Sequence, residues 1–238
     1  MNFSSPILYT IRPGDTLYHL AMEYHTTVEE LIRTNLALDP YDLRVGQQIY
    51  IYPNSNNYWI SNHQVDLLKN MNLVWEQHIM WTRMLLISIA ENLKDLDATR
   101  SRLLQNPKDI ATIFEKYYGT SIANTIRDLL IQHLVIGEQL ISALKNGNQK
   151  LAKELNDKWY QNADSMAKAF SSINPFYPLE QIQQMLYEHL KLTTEEVSAR
   201  LRKDYPADIK AYDMVQKEIL NMSQFLVNGI VNQFPDLF

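Results

Sequence analysis

The sequence predicts two unlike parts: a small α+β unit of order strand–helix–helix–strand, then an all-α bundle of about six helices arranged as three diverged hairpins. Three observations carry this. Apolar residues alternate near both ends of residues 9–52 and fall at helical spacing between them. The run "YPNSNNYWISN" at 52–62 is dense in Asn, Ser and Pro, the chemistry of a connection, and it separates 1–53 from 63–238 through a linker at 54–62. Beyond residue 63 the pattern is helical, and it repeats at an offset of 56 or 55 residues.

In the first part, Tyr9 and Ile11 lead into a Pro-Gly turn, and a helix begins behind Asp15 and Thr16, either of which can cap it. Leu17, Leu20, Ala21 and Tyr24 give that helix an inward stripe. A second helix opens at "TVEELIRTN", where Thr27 and Glu30 have capping-box spacing and Val28, Leu31 and Ile32 turn inward. The segment "VGQQIYIY" then alternates Ile49 and Ile51 with Tyr50 and Tyr52, as a half-buried strand does. Such a unit closes by pairing its two end strands and laying both helices on one face.

Residues 9–52 resemble a LysM domain: "YTIRPGDTL" opens the unit, "LA" and "TTVEELIRTN" form its middle, and "VGQQIYI" closes it. The resemblance implies binding of N-acetylglucosamine-containing polymers, peptidoglycan or chitin, in a shallow groove between the loop after the first strand and the loop before the second. Carried over by position, the groove residues are Gly14, Asp15, Thr16 and Leu17, facing Asn35, Leu36, Ala37, Leu38, Asp39 and Pro40. Loop backbone groups would hydrogen-bond the N-acetyl amide, and apolar side chains would cover its methyl group. Gly14, Asp15 and Thr16 would shape a helix start in any case, so both roles stay open.

In the second part, "LLIQHL" (129–134) aligns with "MLYEHL" (185–190) at offset 56, and "EQHI" (76–79) aligns with "IQHL" at offset 55. Three copies of a helical hairpin are expected, beginning near residues 71, 127 and 183. Turn signals cut them: "QNPKD" breaks the first copy, and Gly119 in "YYGTS" ends it as a helix C-cap. "KNGNQ" splits the second, and the prolines of "SINPFYP" end it. Pro206 opens the last helix from its first turn. Most helices are expected to run 18–28 residues.

Each copy carries a histidine at the same place: His78, His133 and His189, set among apolar neighbours. Buried imidazoles need hydrogen-bond partners, and the residues 28 or 29 positions later are Asn106, Asn162 and Glu218. One account is three core histidines satisfied by those residues. The other has His78, His133 and His189 converging on a divalent metal with an open position; no other cofactor is expected. Gly137 is unusual inside a helix and suggests a close crossing. Trp75, Trp81 and Trp159 are expected in the core, "TTEE" (193–196) on a solvated face, and Arg83 in an ion pair.

Composition excludes several classes. Net charge is −5 with no basic cluster, which argues against nucleic acid as a partner. There is no cysteine, hence no disulfide, thiolate site or thiol nucleophile. No run is long and apolar enough to span a membrane. Six glycines leave little material for a phosphate loop or nucleophile elbow, and no hydrolase signature is present, so the reading leans away from an enzyme. The alternative is a catalytic or metal-binding helical domain steered by its sugar-binding module. The start, "MNFSSPILYT", lacks the basic and apolar regions of a signal peptide.

Residues 63–238 resemble a group of uncharacterised helical proteins of spore-forming Gram-positive bacteria, through "WEQHIMWTRMLLISIAENLKDLDATRSRLLQNPKDI", "KWYQNADSMAKAFSSINP" and "YEHLKLTTEEV". Members sometimes carry a label as acetylglutamate kinase, which this segment does not support, having neither a large sheet nor glycine-rich nucleotide loops. The two resemblances together imply synthesis in the cytoplasm and deposition at a spore surface or cell wall. A single LysM-like copy beside a large apolar helical part suggests that the helical part assembles copies of the chain as a homo-oligomer or recruits a protein partner.

Overall fold

A computed structural model describes residues 6–24, 26–35, 38, 43–52 and 62–238. The chain divides into two compact units, residues 1–59 and 60–238. The predicted linker at 54–62 lies, apart from Asn62, outside the described residues.

The first unit is a two-stranded antiparallel sheet, β1 (Ile7–Thr10) with β2 (Gln48–Ile51), and two short helices, α1 (Leu17–Glu23) and α2 (Val28–Thr34). The register pairs Ile7 with Ile51 and Tyr9 with Ile49. Alternation sends Tyr9, Ile49 and Ile51 inward onto Leu17, Leu20, Ala21, Leu31 and Leu38, while Tyr50 stays half exposed. Thr16 caps α1 by accepting from the His19 N–H at 3.1 Å, and Thr27 caps α2 by accepting from the Glu30 N–H at 3.1 Å. The expected capping box is only half made, because the Glu30 carboxylate is held by Arg33 at 2.6 and 2.9 Å.

The second unit is all helical: α3 (Asn62–Glu91), α4 (Leu96–Leu103), α5 (Asn106–Lys145), α6 (Gln149–Ile173), α7 (Leu179–Leu201) and α8 (Tyr205–Gln233), with a 3₁₀ turn at Pro235–Leu237. Within α5, Gly119 has φ +79° and ψ 168°, so the helix breaks there into two rods. About seven rods result, one more than expected. The extra one is α4, eight residues long, created by a break at Asn92, whose φ is +55°. Pro107 and Pro206 sit in the first turns of α5 and α8, and Asp204 caps α8 by accepting from the Ala207 N–H at 3.3 Å. Among the described residues no helix is long and apolar enough to cross a membrane.

The rods form three antiparallel pairs: α3 with α4 and the front of α5, the rear of α5 with α6, and α7 with α8. Because α3 also packs on α8, the pairs close into a ring around one core. Trp75, Phe114, Trp159, Phe170 and Tyr177 lie in that core at no more than 5% exposure, while Trp81 is partly buried against a second cluster with Leu85, Leu86 and Leu103, under the Arg102 guanidinium. Gly137 faces the Trp159 indole, whose Nε1–H donates to the His133 carbonyl at 3.0 Å. The small residue makes room for a side chain that ties α6 to α5.

One expectation fails. "TTEE" is not a solvated face: Thr193 and Glu196 are buried. Arg83 reaches Glu196 at 2.5 Å and Asp208 at 2.8 Å, and Arg200 extends the network to Asp208 and Glu91. Both halves of a buried ion pair look like surface residues when read locally, and Arg83 lies 113 positions from Glu196. Burial pushes the Glu196 carboxyl up to about 7 despite the guanidinium beside it.

Candidate functional site

In the first unit the loop after β1 is fixed from inside. The Asp15 carboxylate accepts from the Tyr9 hydroxyl at 2.9 Å and from the Arg12 backbone N–H at 2.7 Å. Those bonds, the backbone one foremost, hold its carboxyl below the usual range. Thr16 is engaged as a cap through its hydroxyl oxygen. Leu17 is a core residue, and Gly14 is exposed with φ +89°.

On the opposite side, Asn35 works as a clamp. Its Nδ2–H donates to the carbonyls of Leu31 and Tyr50, and its Oδ1 accepts from the Tyr50 N–H, each at 2.8 Å. This pins the end of α2 to β2. Leu38 is buried, while Leu36, Ala37, Asp39 and Pro40 lie outside the described residues.

In the second unit, ring closure brings His78 on α3, His133 on α5 and His189 on α7 together. Their ring centroids are 5.9–6.3 Å apart, and one ring nitrogen from each lies within 4.8 Å of the others. All three are buried. The other ring nitrogen is held from outside the cluster. His78 Nδ1 meets Asn106 Oδ1 at 3.0 Å, His133 Nδ1 meets Asn162 Oδ1 at 3.2 Å, and His189 Nδ1 meets Glu218 Oε2 at 2.9 Å.

The orientation of these amides is fixed. Asn106 Nδ2–H donates to the Val74 carbonyl at 2.7 Å, and Asn162 Nδ2–H donates to the Leu129 carbonyl at 3.1 Å, each one turn before the histidine. The amide oxygen is therefore what faces the ring, and Nδ1 must be the protonated nitrogen. Burial first, then repulsion from neighbouring His189, lowers His78 to about 3, and burial likewise keeps His133 far below its ordinary value. Both imidazoles are therefore held neutral.

Two small cavities flank the cluster. One of about 30 Å³ is lined by the three histidines with Thr82, Gly137, Glu138, Trp159, Thr193 and further apolar residues. The other, about 10 Å³, is lined by the three histidines, Trp75 and a wall of apolar side chains. Thr82 and Thr193, each one turn past a histidine, donate their hydroxyl protons to the carbonyls of His78 and His189, both at 2.8 Å. The sequence carries a signal for them: both stand four positions after a histidine of the repeated motif.

Comparison with known proteins bears on the first unit alone. No curated protein and no solved structure matches the chain. Residues 9–51, the stretch that folds as strand, helix, helix and strand, match the family model described as LysM domain.

Proposed function

We propose that the first unit binds N-acetylglucosamine-containing polymers, peptidoglycan or chitin, and that the helical unit assembles copies of the chain or recruits a partner at a cell wall or spore surface. The observation carrying the reading is the LysM match over 9–51, which takes in both helices, the second strand and the second half of the first. The physical arrangement supports it. Asp15 and Asn35 spend their side chains on rigid loop geometry, which suits recognition by backbone groups of a ligand rich in amide and hydroxyl groups. Preorganised loops lose little entropy on binding.

A single shallow groove holds an oligosaccharide weakly, and joining several raises apparent affinity through effective concentration. A helical unit that oligomerises supplies that gain without new sugar contacts. The spacing of 28 or 29 residues between each histidine and its partner is what three diverged copies of one hairpin would leave.

The test is co-sedimentation of the full chain with insoluble peptidoglycan and with chitin, beside a chain lacking residues 1–59. The full chain is expected to pellet and to be released by soluble chitin oligomers, while the shortened chain stays in solution. A full chain that remains in the supernatant with both polymers overturns the reading.

A further inference from the structure

We propose that His78, His133 and His189 form a binding site for one divalent transition-metal ion of the zinc class, held through three Nε2 atoms with a fourth position occupied by water or hydroxide.

The donor set is built for this. Three buried imidazoles converge, each with its Nδ1 engaged by an oxygen on the far side of the ring. The hydrogen bonds that hold the three rings all run through Nδ1. Three lone pairs turned on one another repel unless a positive centre lies between them. Acceptors on the far nitrogen are what orient metal-bound histidines and raise their basicity. Here they are two amides and one carboxylate, from Asn106, Asn162 and Glu218. A core that needed only satisfied histidines has no reason to bring a ring nitrogen from each of three helices within 4.8 Å of the others.

The distances suit an ion of this size. Three nitrogens at about 2.0–2.1 Å from zinc in tetrahedral array stand on the order of 3.4 Å apart. From separations within 4.8 Å, each ring has to move inward by less than about 1 Å, within side-chain adjustment. Three nitrogen ligands without carboxylate or thiolate favour zinc, cobalt or copper over magnesium or calcium, which take oxygen.

The surroundings indicate what fills the fourth position. A cavity of about 30 Å³ adjoins the cluster, enough for one water. Thr82 and Thr193 line it, and their protons are already given to backbone carbonyls, so their oxygens can only accept. An acceptor pair matches a ligand that itself donates, water or hydroxide, rather than a bare anion. On the other side, buried Trp75 has an indole N–H without a partner, and it lines the small cavity that touches all three rings.

The experiment uses the full chain produced without a histidine tag, stripped with a chelator and dialysed. Zinc is titrated by calorimetry, and cobalt(II) by its visible absorption. The expected result is one ion per chain, cobalt bands of tetrahedral intensity, and a melting temperature raised by roughly 5–10 °C at hundred-fold excess over Kd. His133→Gln is expected to abolish the cobalt bands. Asn162→Ala, which leaves all three ligands in place, is expected to lower affinity about 10–100-fold. Folded wild-type protein that shows neither bands nor thermal shift overturns the proposal, and so does a His78→Gln/His133→Gln/His189→Gln variant that binds as well as wild type. If a variant fails to fold, the wild-type spectrum and stoichiometry decide alone.

Discussion

Arg83→Met is expected to destabilise the helical unit by about 3–5 kcal/mol, read as a shift in the midpoint of denaturant unfolding. The guanidinium holds Glu196 at 2.5 Å and Asp208 at 2.8 Å, and the two carboxylates are only 4% and 1% exposed. Methionine keeps the aliphatic stem but leaves Glu196 without its cation, and Asp208 keeps only Arg200 at 3.4 Å. The cost comes from stranding buried charge, so removing charge on both sides should cost less. Arg83→Met with Glu196→Gln is therefore expected to recover part of the loss. An Arg83→Met protein as stable as wild type would mean that water reaches this network.

The same network sets a pH dependence with a definite sign. Glu196 ordinarily titrates near 4.5 and is raised to about 7 in the fold, so between those values the native state binds the extra proton. Stability contributed by this group is present below about 4.5 and is lost as pH rises through about 7. Over that window wild type should lose up to about 3 kcal/mol relative to Glu196→Gln, at about 1.4 kcal/mol per unit of pKa shift. Parallel stability curves for the two proteins would contradict it.

Gly229→Ala is the second large effect. A Cβ at this position in α8 would stand 2.0 Å from Tyr177 Cε1 and 2.7 Å from Cδ1 and Cζ. The ring cannot retreat: Tyr177 is 1% exposed, its hydroxyl donates to the Leu226 carbonyl at 2.5 Å, and Phe170 and Phe225 pack on it. Alanine gains about 1 kcal/mol of helix propensity over glycine. Overpacking of this severity outweighs that, giving a net loss of about 2–3 kcal/mol. Gly137→Ala is the control, since its Cβ would meet Trp159 at 3.3 Å, a contact that a small ring shift relieves. Its stability should stay within about 1 kcal/mol of wild type. Equal behaviour of the two alanine variants, by thermal unfolding, would refute the distinction.

Local chemistry made much of this legible. Period-two alternation placed Ile49 and Ile51 inward, and Thr16 and Thr27 cap the helices their positions announce. Prolines at 107 and 206 mark helix starts. The break at Asn92 was hidden because no glycine or proline signals it, and an asparagine there adopts positive φ without help from its neighbours. The burial of Glu196 was hidden for a different reason: its compensating cation is remote in sequence. The histidines fall between these cases. Spacing named their partners Asn106, Asn162 and Glu218, but their meeting point depends on α3 packing on α8, a closure that no local pattern encodes.

That closure also brings the two termini of the helical unit together, where His63 Nδ1 lies 3.2 Å from the Leu237 carbonyl. Where a compact unit starts and stops is then an accident of gene order rather than a requirement of its packing. A rewired chain, spliced from Phe238 back to the beginning of α3 and opened instead in the turn after Ile173, retains every interhelical neighbour it had before.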